Sequence, residues 1–208
     1  MRPRALIFDF NGTLSDDEPI MCEIFQELFA QAGKPLTEEA YFGELAGLSD
    51  PEIVERWLGT ADQHVVAAKV ERYRARVADG SSVPRHVREA VQIAADAVPI
   101  AVVSGAFRDE LESVLSAAGL AGLVSATVTA EDVKHGKPDP EGYLRGLELL
   151  GIDGEQAVAF EDSDVGVASA LAAGLRCVAV LGTMSPERLA RAEAVVPRLD
   201  PEVVRAVL

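Results

Sequence analysis

Hydrophobic and polar residues follow two different rhythms along this chain. Ala5-Leu6-Ile7-Phe8 is a short apolar run that stops at Asp9 and passes into Asn11-Gly12. A run of that length closed by turn chemistry predicts a buried strand with Asp9 at its carboxyl end. A helical rhythm follows. Ile20, Ile24, Phe25, Leu28 and Phe29 fall on one face of a helix over 18–32, stopped by Gly33. A second helix starts at Thr37 and ends within 43–47. Ser49-Asp50-Pro51-Glu52 opens a third, whose apolar stripe is Ile53, Val54, Trp57 and Leu58 and whose end is Gly59. Residues 61–78 form a fourth.

From Ser81 onward strands and helices alternate. Helices are expected over 84–97, 107–118, 141–150 and 165–173, from Pro186, and at the C-terminus; strands are expected over 100–103, 124–129, 157–160, 177–181 and 194–196. Nearly continuous apolar strands separated by helices predict a parallel sheet covered on both faces. The expected fold is α/β: a Rossmann-like parallel sheet with helices on both faces, built from 1–14 and 82–208. An all-helical cap subdomain, 15–81, is inserted after the first strand, with hinges near Ser15-Asp16-Asp17 and Asp79-Gly80-Ser81-Ser82.

Composition narrows the partners. With 208 residues, 49% of them hydrophobic, the chain has material for a substantial core. A net charge of -15 argues against a nucleic-acid or anionic-membrane surface. It leaves room for a small phosphorylated metabolite, which a few cations, a metal ion and backbone amides can hold. Cys22 and Cys177 stand apart from each other and from any Cys/His cluster, so buried free thiols are expected. The first apolar run meets Asp9 too soon for a secretory leader, and no stretch reaches transmembrane length. A soluble cytoplasmic protein follows as the expectation, monomeric or weakly dimeric.

The chemistry gathers at strand ends. Asp9, Ser104 and Glu161-Asp162 each close a predicted strand, and Lys137 lies in the loop Lys134-His135-Gly136-Lys137-Pro138-Asp139-Pro140. Singly, each has an ordinary reading: Asp9 or Ser104-Gly105 as a turn, Lys137 as a solvated loop residue, Glu161-Asp162-Ser163 as a helix cap. Together they supply a carboxylate nucleophile, a hydroxyl, a cation and an acidic pair, the inventory of phosphoryl transfer. Two carboxylates beside a phosphate need a cation. Mg2+ prefers hard oxygens, and Asp9, Asp162 and the main-chain carbonyl of Asn11 are its candidate ligands.

The motifs Asp9-Phe10-Asn11-Gly12-Thr13-Leu14, Val103-Ser104-Gly105, Gly136-Lys137-Pro138-Asp139-Pro140 and Glu161-Asp162-Ser163-Asp164-Val165-Gly166 occur in that order. In this the sequence resembles the haloacid dehalogenase superfamily, in the phosphoglucomutase and phosphoglycolate phosphatase branch with a helical cap after the first motif. The resemblance implies an aspartyl-phosphate mechanism with Asp9 as nucleophile, and Ser104 and Lys137 holding the phosphoryl oxygens beside Gly105. It implies that Thr13 orients Asp9 or the phosphoryl group, and that Glu161 supports metal-bound water rather than the metal. Gly47, Leu48, Ser49 and Asp50 would form the cap loop over the substrate, with Glu18 a further cap-side residue.

One position departs from the pattern. Phosphatases of this family carry an aspartate two residues after the nucleophile as general acid and base, and here it is Asn11, whose amide cannot cycle a proton. General acid–base catalysis is worth roughly 10²–10⁴-fold, so an ordinary alkyl phosphate is expected to react slowly. Three readings stay open: a substrate with a good leaving group, an acid supplied by the cap, or a substitution that keeps the fold and suppresses turnover. Haloacid dehalogenation is the runner-up, disfavoured because that branch has an aromatic residue at the Asn11 position and needs no magnesium; a non-catalytic phosphate-binding or regulatory protein is the third class. Neither Lys34 nor Lys69 matches a Schiff-base lysine of phosphonatases. The absence of a basic residue near Asp50 argues against a mutase.

Overall fold

A computed structural model describes residues 2–208. Its centre is a parallel sheet of β1 (Ala5–Phe8), β2 (Ile100–Val103), β3 (Ala126–Val128), β4 (Ala157–Glu161), β5 (Arg176–Val180) and β6 (Ala194–Val196), in the order β3-β2-β1-β4-β5-β6. Every residue of β1 is fully buried, as an unbroken apolar run requires when both faces of a sheet are covered. Phe8 and Phe160 are paired across β1 and β4, and their rings stack with centroids 5.1 Å apart.

Strand order fixes where the chemistry goes. The chain travels outward from β1 through β2 to β3, then returns to β4 on the other side of β1 and continues to β5 and β6. The reversal falls between β1 and β4, and the carboxyl ends there flank a crevice. Right-handed crossovers in opposite directions place α5 (Arg85–Ala97) and α6 (Arg108–Ala117) on one face, and α7 (Glu141–Leu150) and α8 (Asp164–Ala172) on the other. The C-terminal helix α9 (Pro201–Val207) packs against α5. The expected α/β architecture is the observed one.

Between β1 and α5 the chain is helical, with α1 (Glu18–Gln31), α2 (Glu38–Ala40), α3 (Asp50–Leu58) and α4 (Gln63–Val77). Phe25, Phe29 and Tyr41 form the buried heart of this insertion, and Trp57 stacks on Phe29. Cys22 and Cys177 are free and buried. Among the described residues no helix is long and apolar enough to cross a membrane.

Two segments differ from expectation. The helix expected from Pro186 is instead a series of turns, in which the Ser185 carbonyl accepts from both Arg188 and Leu189 while Leu189 is buried. The helix expected from Thr37 lasts three residues and widens over Tyr41–Leu45, where the Ala46 amide reaches back to the Tyr41 carbonyl at 2.9 Å. Gly43 lies inside that wide turn, where its low helix propensity favours departure from regular geometry. Tyr41 meanwhile points its hydroxyl at Glu18.

Candidate active site

Asp9 follows β1 directly, and its amide donates to the Phe160 carbonyl at 2.9 Å, so both strands fix its backbone. Lys137 reaches it from the loop before α7. Its Nζ lies 2.5 Å from Asp9 Oδ1 and 2.5 Å from Glu161 Oε1. The Tyr143 hydroxyl donates to the same Glu161 oxygen at 2.7 Å, and Glu161 Oε2 accepts from the Asp162 amide at 3.2 Å and the Ser163 hydroxyl at 3.3 Å. Both oxygens of Glu161 are thus engaged by protein donors, Lys137 among them. Gly166 permits the arrangement, because a Cβ there would lie 2.0 Å from Glu161 Oε2.

Burial pushes the Asp9 carboxyl up to about 7, with Lys137 opposing the shift and Glu161 adding to it. Burial would lower Lys137, but Asp9 and Glu161 together hold it above its ordinary value, so it stays a cation. Asp162, at the end of β4, is raised well above the carboxylate range by burial first and then by the charge of Asp9.

Carboxylate oxygens of Asp9, Glu161 and Asp162 all lie within 4.8 Å of one another. Asp162 Oδ2 and Thr13 Oγ1 are buried without hydrogen-bond partners, a costly condition for polar atoms that have nothing else to bind. Gly12 makes the space beside Asp162: it has φ +75°, and a Cβ there would sit 1.9 Å from Asp162 Oδ2 and 2.6 Å from Thr183 Oγ1. Clustered hard oxygens, one of them orphaned, fit a small divalent cation.

Asn11 is anchored from two sides. Its Nδ2 donates to Asp17 Oδ2 at 3.1 Å, and its Oδ1 faces Ser104 Oγ at 3.5 Å. Asp17 is fully buried, and the Tyr73 hydroxyl donates to the same Oδ2. The Gly12 amide donates to the Ser15 carbonyl at 2.8 Å, closing the turn. Ser104 also receives the Ala106 amide at 3.0 Å.

The insertion closes over this site. Gly47, with φ +88°, packs so tightly on the loop after β4 that a Cβ would lie 2.8 Å from Ser163 Cβ, and Leu48 is partly buried against the core. Ser49 caps α3 through Glu52 and lies against Gly105, where a Cβ would be 3.5 Å from Ser49 Cα. Ser49, Pro51 and Glu52 from the insertion, with Ser104, Gly105, Thr129 and Lys137 from the core, line a cavity of ≈ 260 Å³. Asp50 corrects the expectation for this loop. It is 2% exposed and lies 2.7 Å from Lys69 Nζ, which in turn lies 3.0 Å from Glu110 on α6, so Asp50 is committed to a buried charge cluster and away from that cavity. That pairing also keeps Lys69 protonated, its carboxylate neighbours outweighing the effect of burial.

Glu18 is buried, not exposed as a first-turn acid would ordinarily be, and Tyr41 donates to its Oε2 at 2.9 Å. Burial, followed by the charge of Asp17, pushes its carboxyl up to about 8.

Four residues that hold the site or the charge cluster beside it had no such role in the sequence reading: Asp17, named there only in a hinge, Tyr143, Thr183 and Glu110. Thr183 follows the end of β5, so the strand-end rule that found Ser104 had the signal for it. Tyr143 and Glu110 sit on helices whose spacing reads only as amphipathic.

The fold and this arrangement are those of a hydrolase with a buried carboxylate cluster at the carboxyl edge of a parallel sheet. Residues 6–180 match the family described as haloacid dehalogenase-like hydrolase, and the chain belongs to it. It is 31% identical to validoxylamine A 7'-phosphate phosphatase of Streptomyces hygroscopicus subsp. limoneus, over 94% of each chain. It is 32% identical to fructose-1-phosphate phosphatase YqaB of Escherichia coli, over 86% of this chain and 97% of that one. A crystal structure of mutant CbbY from Rhodobacter sphaeroides in complex with xylulose-(1,5)bisphosphate superposes with a TM-score of 0.85 at 27% identity, covering 95% of each chain.

Proposed function

We propose that this hydrolase is a magnesium-dependent phosphatase of a small phosphorylated carbohydrate or polyol, working through an aspartyl-phosphate on Asp9. The carrying observation is the buried cluster of Asp9 and Asp162, with Asp162 Oδ2 unpartnered and Lys137 fixed on the other side of Asp9. The named phosphatases among its relatives support the substrate class.

Asp9, Asp162 and the carbonyl of Asn11 would hold Mg2+, which when bound supplies positive charge that keeps the carboxylates ionised and offsets charge on the phosphoryl oxygens. Lys137 occupies Asp9 Oδ1, leaving Oδ2 as the oxygen that attacks phosphorus. Ser104 and Lys137 hold phosphoryl oxygens, and the unpartnered Thr13 hydroxyl is available as another donor. The helical insertion acts as a cap that excludes water during transfer. Its side of the cavity beside Ser104 contributes Ser49, Pro51 and Glu52 and no cation, which suits the hydroxyls of a monophosphate better than a second phosphate.

The test is release of inorganic phosphate from a panel of sugar and polyol monophosphates, with and without Mg2+. Metal-dependent release that disappears in Asp9→Ala is expected; halide release from 2-haloacids in its place would overturn the reading.

A further inference from the structure

Where the spacing after Pro186 predicts a helix, the chain makes turns, and those turns aim one side chain at the insertion. Arg188 is fixed from behind by the buried Leu189 and by its own amide, which donates to the Ser185 carbonyl at 3.1 Å. Its guanidinium reaches two ways. Nε and Nη2 each lie 2.9 Å from Oδ2 of Asp164, the first residue of α8 and two beyond Asp162. Nη1 donates to the Phe42 carbonyl at 3.2 Å and to the Gly43 carbonyl at 3.5 Å, both in the wide turn of the insertion. Carbonyls at a helix end lack intrahelical amides, and a fixed cation is a favourable partner for them. Gly47, a little further along, packs on Ser163 and Val165. The same stretch of the insertion therefore meets the loop after β4 at two points, once directly and once through Arg188.

Resting on the phosphatase reading, in which the insertion is a cap, we propose that Arg188 is a positioning residue. It latches the wide turn onto the loop that carries Asp162, and so sets how much of the time the cap is closed over substrate.

Two charged fastenings join the insertion to the sheet domain, and they differ in what it costs to undo them. Parting Lys69 on α4 from Glu110 on α6 would strand charges that are 1% and 0% exposed, so that edge stays joined and serves as the pivot. Arg188 and Asp164 are 36% and 35% exposed. When the wide turn lifts away, Arg188 keeps Asp164 and water takes over the two carbonyls. The Arg188 edge is thus the one that opens. Arginine suits the task because its planar fork serves Asp164 and the carbonyls at once, which the single ammonium of lysine does not.

The experiment compares amide hydrogen exchange and steady-state kinetics of the unaltered protein, Arg188→Ala and Arg188→Lys. Exchange over residues 41–48 is expected to quicken by ~10-fold in Arg188→Ala, the size of a partly solvated hydrogen bond to a charged group, and by less in Arg188→Lys, while α7 exchanges as before. Kinetics in Mg2+ use whichever of fructose 1-phosphate and p-nitrophenyl phosphate is hydrolysed faster. KM of Arg188→Ala is expected to rise by ~10-fold and kcat to fall by less than about threefold, because a cap that closes after binding tightens KM while the closed complex stays the major form. Arg188→Lys is expected to fall between. Unchanged exchange over 41–48, equally faster exchange in α7, or an unmoved KM despite a loosened turn would each overturn the proposal and leave the phosphatase reading standing. A turn that loosens as expected in a protein that hydrolyses neither ester would keep the latch between insertion and sheet domain and remove the phosphatase reading.

Discussion

Gly166 and Glu161 are in such close contact that a single methyl group on Gly166 would stand 2.0 Å from Glu161 Oε2. Glu161 is wholly buried and holds Lys137, so the first turn of α8 indirectly sets the cation beside Asp9. Gly166→Ala is therefore expected to cost ~1–3 kcal/mol of stability, as overpacking in a dense core does, and to lower kcat by displacing Lys137. Thermal unfolding and phosphate release on the same samples check it.

Asn11→Asp should increase turnover of alkyl phosphates by ~10²-fold or more, toward the full value of general acid–base catalysis. Steady-state kinetics on a polyol phosphate measures this directly. An unchanged rate would mean that proton transfer does not limit the reaction.

Mg2+ should stabilise the folded protein, because only the folded chain assembles Asp9 and Asp162. At a concentration ~100 times its dissociation constant the gain is about 2.7 kcal/mol, visible as a rise in Tm. Asp162→Asn is expected to abolish that rise. A variant that keeps the full shift would place the metal elsewhere.

Glu18 also marks stability. Its carboxyl is raised to about 8 in the folded protein from an ordinary value of 4.5, so its contribution is intact below pH 4.5 and is lost as pH rises through about 8. Glu18→Gln stays neutral and should lose less stability than the unaltered protein between pH 5 and 9. Urea denaturation at several pH values reads the difference; parallel curves would contradict the shift.

Lys69 neutralises two buried carboxylates, Asp50 and Glu110, across the junction of the insertion and the sheet domain. Lys69→Ala strands both and is expected to cost ~3–5 kcal/mol, whereas truncating an exposed partner such as Glu23 of the Arg76 pair should cost under about 1 kcal/mol. Chemical denaturation separates the two cases.

The sheet was legible in the sequence because its strands are buried on both faces and read as unbroken apolar runs, and Asp9, Ser104 and Asp162 were legible because they end those runs. Lys137 came from its motif alone. What the sequence hid depends on contacts distant along the chain. Asp50 reads as a loop acid until Lys69 and Glu110 come to it from two other helices, and nothing local shows that Tyr41 will cover Glu18, read only as a cap-side residue. Tyr143 looks like any apolar helix position, since nothing local announces that its hydroxyl holds Glu161. The turns after Pro186 look helical because their spacing buries Leu189 as a helix would.

The hydrogen bond from the Gly12 amide to the Ser15 carbonyl also governs how this protein ages. An asparagine followed by glycine deamidates when the glycine nitrogen attacks the side-chain carbonyl and closes a five-membered imide. Here that nitrogen is tied into the turn and the Asn11 amide is tied to Asp17, so neither reacting group is free to approach the other. The folded molecule thus preserves its asparagine, while an unfolded copy has no such protection. Time spent unfolded would write aspartate and isoaspartate into position 11, so a heated and refolded sample would acquire the acid that the native chain lacks.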